Sequence, residues 1–103
     1  MKRFMICYFG GDQAASKEEG QRQFARYQQW LSDLGDAAIE PMIPLRNTQT
    51  ILPDRSTTKG SAAALSGYTV VQAASLEAAI GLAQDCPFLD VNGTLEVAEL
   101  PTP

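Results

Sequence analysis

An α+β domain, with a four-stranded antiparallel sheet carrying two helices on one face, is what the sequence predicts, and three observations predict it. Short apolar runs bounded by Gly, Pro or Asn occur at Phe4–Phe9, Ala38–Leu45, Tyr68–Ala73 and Thr94–Leu100, the length and punctuation of strands. Helical segments with apolar residues three and four apart follow the first and third runs. A polar stretch without aromatic residues separates the two halves. The order is therefore β-α-β, an insert, then β-α-β, which is the split βαβ or ferredoxin-like arrangement. The whole chain, residues 1–103, is read as one domain with a variable polar insert or hairpin at 46–66.

The first run, FMICYF, is apolar throughout and suits a strand covered on both faces. Gly10-Gly11-Asp12 ends it. Ser16 with Glu19 three residues on is a capping-box pattern, and Phe24, Tyr27, Leu31 and Leu34, widened by Trp30, give one apolar face to a helix over Lys17–Leu34. Gly35 suits the residue after its end. Pro41 and Pro44 lack an N–H, so the second run is a short, bulged or edge strand. Within the insert, Pro53-Asp54 offers a turn between Thr48–Leu52 and Ser56–Lys59, and a loop is the alternative. Ser75 caps the second helix, with Leu76, Ala79, Ile80 and Ala83 as its inward stripe. Pro87 stops that helix near Asp85. Asn92-Gly93 is a turn leading to a last strand in which Leu95 and Val97 share one face and Glu96 and Ala98 the other.

Composition closes off several functions. A 103-residue chain that is 45% hydrophobic supplies one core and not two. The net charge is -4 and the eight Lys and Arg are scattered singly, so nucleic acid and anionic membranes are excluded as partners. No apolar run approaches the ~20 residues of a membrane span, and the N-terminus lacks the features of a signal peptide. Cys7 and Cys86 form no C-x-x-C and read as reduced thiols of a cytoplasmic protein. There is no histidine. That removes the commonest general base, the Ser-His and Cys-His pairs and the commonest transition-metal ligand. No metal-ligand spacing and no phosphate loop is present, so neither a metal nor a cofactor is expected.

Two helices cover one face of the sheet. The other face carries apolar side chains from FMICYF and YTVVQA, and a bare apolar sheet marks an interface. The expectation is a homodimer with sheet packed against sheet. With Leu95 and Val97 toward the helices, Glu96 points into the enclosed space. A carboxylate removed from water there is suited to proton transfer; the plainer reading is a Glu paired with Arg or a strand neighbour. Tyr68, on a central strand, can present a hydroxyl beside it. Glu96 and Tyr68 are the catalytic candidates. Tyr8, Trp30 and Asp12 are ligand-binding candidates, against simpler roles as packed aromatics and a turn or cap residue. A small-molecule ligand in the barrel or at the sheet–helix cleft is one functional reading; a non-catalytic interaction or regulatory module is the other.

The segments Gly67-Tyr68, Ser75-Leu76-Glu77-Ala78-Ala79, Cys86-Pro87 and Gly93-Thr94-Leu95-Glu96-Val97, with the N-terminal MKRFMICYFGGD, resemble the YCII-related family, which includes the DGPF-domain proteins. The resemblance covers most of the chain and is weakest from Ala38 to Ala64. It implies a ferredoxin-like protomer and a dimeric α+β barrel but no single activity. Some members look like ring-processing enzymes of the muconolactone type, and others resemble proteins linked to extracytoplasmic-function sigma factors. Two departures matter. The D-G-P-F motif is absent, the nearest stretch being Leu52-Pro53-Asp54-Arg55, and the family's His-Asp pair has no counterpart in a chain without histidine.

Overall fold

β1 (Lys2–Gly10) lies in the middle of the sheet and organises it. The computed structural model describes residues 1–101. Phe4, Ile6 and Tyr8 of β1 are fully buried, whereas Met5, Cys7 and Phe9 between them keep partial exposure. That alternation is the period-2 pleat of a strand with one face on the core. The sheet also contains β2 (Ala38–Pro44), β5 (Leu65–Ala73) and β6 (Gly93–Leu100), in the order β2-β5-β1-β6, and every neighbouring pair is antiparallel. This is the strand order of the split βαβ unit.

α1 (Lys17–Leu34) and α2 (Leu76–Gln84) pack on one side of the sheet. Each starts on a serine whose hydroxyl accepts an early backbone N–H: Ser16 from Glu19 and Ser75 from Ala78, both at 3.1 Å. Glu19 completes the box by accepting from the Ala15 N–H at 2.9 Å. The core between the layers holds Phe4, Ile6, Tyr8, Trp30, Leu34, Val71, Ala79, Ala83, Cys86 and Phe88. Leu95 and Val97 of β6 pack against it. Burying a side chain of this size is worth about 1.5–3 kcal/mol, so these residues hold the fold.

Two expectations need correction. Phe24 is 63% exposed and does not belong to the inward stripe of α1. Gln23 occupies the inward position one residue earlier and donates to the Pro87 carbonyl at 3.0 Å. Leu76 and Ile80 of α2 are also more than one-third exposed, because Ala79 and Ala83 bring the helix against the sheet on their own side and leave the larger residues at its rim. As expected, Pro87 lets α2 run no further than Gln84, with Asp85 as its cap. After a non-helical Cys86 it opens a 3₁₀ turn over Pro87–Val91 that carries Phe88 into the core, the position where proline's fixed φ and missing N–H cost least.

β2 is an edge strand with two register irregularities, as its two prolines require. The insert forms a separate hairpin, β3 (Gln49–Ile51) with β4 (Thr57–Lys59). Asp54 shapes its turn by accepting from the Ser56 N–H and hydroxyl at 2.9 and 2.6 Å. This arm stands away from the sheet. The Cα radius of gyration is 14.9 Å, against about 13 Å for a compact chain of this length. The Cα extents are 44 × 41 × 18 Å, a slab of one sheet and one helical layer.

Candidate functional site

The pleat of β1 sorts the nominated residues. Tyr8 faces the helices. It has no exposed surface, its hydroxyl lies 2.6 Å from the Thr69 hydroxyl, and its ring packs on Phe88 and Tyr27. Burial pushes its hydroxyl far above the ordinary tyrosine range. Trp30 is 5% exposed and donates its indole N–H to the Leu82 carbonyl at 3.1 Å, tying α1 to α2. Both are core residues, on the opposite side of the sheet from Tyr68 and Glu96, so neither can share a chamber with them.

Tyr68 and Glu96 lie together on the face that no helix of the described residues covers. Cys7 pairs directly with Tyr68 on β5 and with Glu96 on β6. Ile43 of the edge strand continues the row beyond Tyr68. Facing side chains on neighbouring strands have Cβ atoms ~5 Å apart, so Glu96 and Tyr68 flank Cys7 across roughly 10 Å. Met5 and Phe9 on β1 and Val70 on β5 surround the row with apolar groups. The Cys7 thiol is raised above its ordinary pKa, first by burial and then by the negative charge of Glu96. Cys7 is the member that sequence reasoning missed. A mid-strand cysteine among apolar residues reads as inert, and only the parity of β1, opposite to that of Tyr8, would have placed it beside Glu96.

Asp12 lies elsewhere, in the loop between β1 and α1. Its N–H donates to the Val91 carbonyl at 2.7 Å and its carboxylate accepts from the Asn92 amide at 2.5 Å. It lines an exposed polar cleft of about 360 Å3 with Glu19, Arg22, Arg26 and Asp90. These groups largely neutralise one another, and Asp12 ties the loop to the turn before β6.

A second, apolar cleft opens between α2 and the edge strand β6. It has a volume of about 530 Å3 and is lined by Leu76, Ile80, Leu89, Leu95, Val97 and their neighbours. It lies on the helix side and contains neither Glu96 nor a tyrosine. Among the described residues, no cluster of three His, Cys, Asp or Glu could hold a metal ion, and no helix is long and apolar enough to cross a membrane.

No family model and no curated protein matches the chain. The fold does match a solved structure, 5-chloro-2-hydroxyhydroquinone dehydrochlorinase (TftG) from Burkholderia phenoliruptrix AC1100 in complex with 2,5-dihydroxybenzoquinone. The TM-score is 0.60 at 14% sequence identity, and the match covers 98% of this chain and 95% of that chain. The likeness is of fold, over essentially the entire length of both.

Proposed function

We propose that this protein is a YCII-related homodimer whose two open sheet faces meet and enclose a chamber for a small hydroxylated ring compound. The observation that carries the reading is the row of Glu96, Cys7 and Tyr68 across three strands of the uncovered face. A carboxylate and a phenol about 10 Å apart bracket the space of one substituted ring. Glu96 accepts a proton from the ligand's acidic hydroxyl or ring carbon, and Tyr68 donates a hydrogen bond to the oxygen that becomes negative. The apolar wall of Met5, Phe9 and Val70 takes the ring's faces. Cys7, held as a thiol, supplies contact and no nucleophile. That the like-folded dehydrochlorinase holds 2,5-dihydroxybenzoquinone supports this ligand size and class. A cytoplasmic location belongs to the same reading: Cys7 and Cys86 are free and lie on opposite sides of the sheet, where they cannot bridge.

The test is a thermal-shift and calorimetric screen of catechols, hydroquinones, hydroxyquinones and small lactones against the wild type, Glu96→Gln and Tyr68→Phe. A ligand at a hundred times its dissociation constant adds about 2.7 kcal/mol. The expected result is a rise in Tm for the wild type that either substitution reduces, with any turnover lost in Glu96→Gln. Absence of binding across these classes defeats the reading. The arm made by β3 and β4 favours a second reading, in which the dimer is a non-catalytic interaction module.

A further inference from the structure

We infer that the β3–β4 arm of one protomer docks into the apolar cleft between α2 and β6 of its partner, so that the dimer is held by two exchanged arms as well as by its sheets. The inference rests on the dimeric reading above and adds to it a specific attachment. An isolated two-stranded hairpin is at best marginal in water, yet among the described residues β3 and β4 pair only with each other. The tip of this arm is apolar and open: Ile51 is 72% and Leu52 42% exposed. Three other large apolar side chains with such exposure, Leu76, Ile80 and Leu89, line the cleft. Among the described residues, no arm residue lines the cleft of its own chain. The arm leaves the sheet beside the edge strand β2, and the cleft borders the opposite edge, β6.

Charge points the same way. Residues 46–60 carry Arg46, Arg55 and Lys59 against Asp54, a net +2 in a chain of -4. Asp54 is already engaged by Ser56 in the turn. Residues 75–100, which build the cleft, hold Glu77, Asp85, Asp90, Glu96 and Glu99 and no Lys or Arg. Lys2 and Arg26 contact Glu99 and Asp90, and among the described residues these are the two ion pairs. Glu77 and Asp85 are left to meet a basic partner, and the basic segment of this chain is the arm.

Area gives the third argument. Four strands of seven to nine residues present a face on the order of 500 Å2, short of the roughly 800 Å2 per partner of a stable interface. The arm tip and the cleft supply the remainder. The reach is sufficient, because the eight residues from Leu45 to Leu52 extend up to about 26 Å, against about 10 Å between packed sheets and a similar step past the partner's sheet edge to its helix layer.

The experiment is sedimentation equilibrium on the wild type and on the arm variant I51D/L52D, with far-UV circular dichroism to establish that each is folded. Both residues are exposed in the protomer, so the variant keeps its fold. The expected result is a dimer dissociation constant raised by at least about tenfold, the equivalent of 1.4 kcal/mol. A second measurement uses Leu52→Cys with Leu89→Cys in one chain, oxidised, with the wild type as control for Cys7 and Cys86. Exchange yields a covalent dimer on a non-reducing gel. An unchanged dissociation constant in I51D/L52D, or a dimer that forms no such crosslink, overturns arm exchange and leaves the sheet dimer standing. A monomeric wild type at micromolar concentration overturns both.

Discussion

Cys7 of β1 and Glu96 of β6 face each other across the strand pair on the open side of the sheet. The pairing couples their chemistry, since burial first, and the Glu96 charge second, hold the Cys7 thiol above its ordinary pKa. Replacing Glu96 by Gln removes the smaller of these causes and lowers the thiol pKa. More thiolate then exists at any pH below the pKa. Alkylation of Cys7 by iodoacetamide at pH 8 is expected to accelerate by roughly twofold in dilute protein, the thiolate being the nucleophile. Cys86 is 2% exposed and stays unreactive, so one modified site by mass spectrometry reports Cys7 alone. An unchanged rate would mean that the carboxylate and thiol do not face each other.

The same residue reports dimerisation. In the proposed sheet dimer Cys7 lies inside the interface, so its alkylation is expected to slow as protein concentration rises through the dissociation constant. A rate independent of concentration from nanomolar to high micromolar would count against the sheet dimer.

On the core side, the Tyr8 and Thr69 hydroxyls satisfy each other at 2.6 Å with neither residue exposed. Removing one partner leaves the other buried and poorly paired, at about 1–3 kcal/mol. Removing both with groups of similar shape costs much less. Tyr8→Phe and Thr69→Val are each expected to lower the urea midpoint, and the double variant is expected to recover most of the loss. Strictly additive losses would show that the hydroxyl pair contributes nothing. The outcome also separates Tyr8 from the candidate site, because Tyr8→Phe leaves ligand affinity unchanged once the protein is folded.

Phe88 explains two glycines. A Cβ on Gly11 would come within 2.6 Å of the Phe88 ring, and one on Gly93 would overlap that ring and stand 2.6 Å from the Phe88 carbonyl oxygen. Gly11 also has φ +88°, where side chains are strained. Gly93→Ala is expected to cost about 1–3 kcal/mol or more by overpacking, read as a drop in Tm of at least roughly 4 °C. A neutral Gly93→Ala would place Phe88 elsewhere.

The readable parts of this chain were those written in local chemistry. Ser16 with Glu19, Ser75 and Asn92-Gly93 mark element ends through hydrogen bonds to nearby backbone, and they stand where expected. Leu95 and Val97 against the core, with Glu96 opposite, followed from strand parity. What was not readable depended on tertiary packing. FMICYF is apolar at every position, so nothing local tells Tyr8 from Cys7, and Tyr8 was nominated for a site it turns away from. Leu76 and Ile80 look like core positions by spacing, but the small Ala79 and Ala83 decide how α2 sits. The 3₁₀ turn at Pro87–Val91 was hidden because proline ends one helix and begins another turn equally well.

Alkaline stability follows from Cys86, Tyr8 and Tyr27 on the core side of the sheet, with Cys7 adding to it from the open face. Cys86 is raised above its ordinary value of 9.0 chiefly by burial. Burial likewise raises Tyr8 and Tyr27 well above 10.0, and among the described residues the Tyr27 hydroxyl has no hydrogen-bond partner. In each case the folded pKa exceeds the unfolded one, so the unfolded chain releases its proton first as pH rises. Their contribution is complete below the unfolded pKa and is lost above it. Stability is therefore expected to hold level up to about pH 9 and then fall, by at most about 1.4 kcal/mol per pH unit for each group in its window. The decline steepens above about pH 10, where the tyrosines of the unfolded chain ionise. Cys86→Ala should shallow the segment between pH 9 and 10, where Cys7 also contributes, and leave the steeper one in place, and Tyr27→Phe should shallow the second and also raise stability at neutral pH by removing an unpaired hydroxyl. Urea midpoints from pH 7 to 11 measure all of this, and a wild-type curve still level at pH 11 would show that these groups are as open to solvent in the native protein as in the unfolded chain.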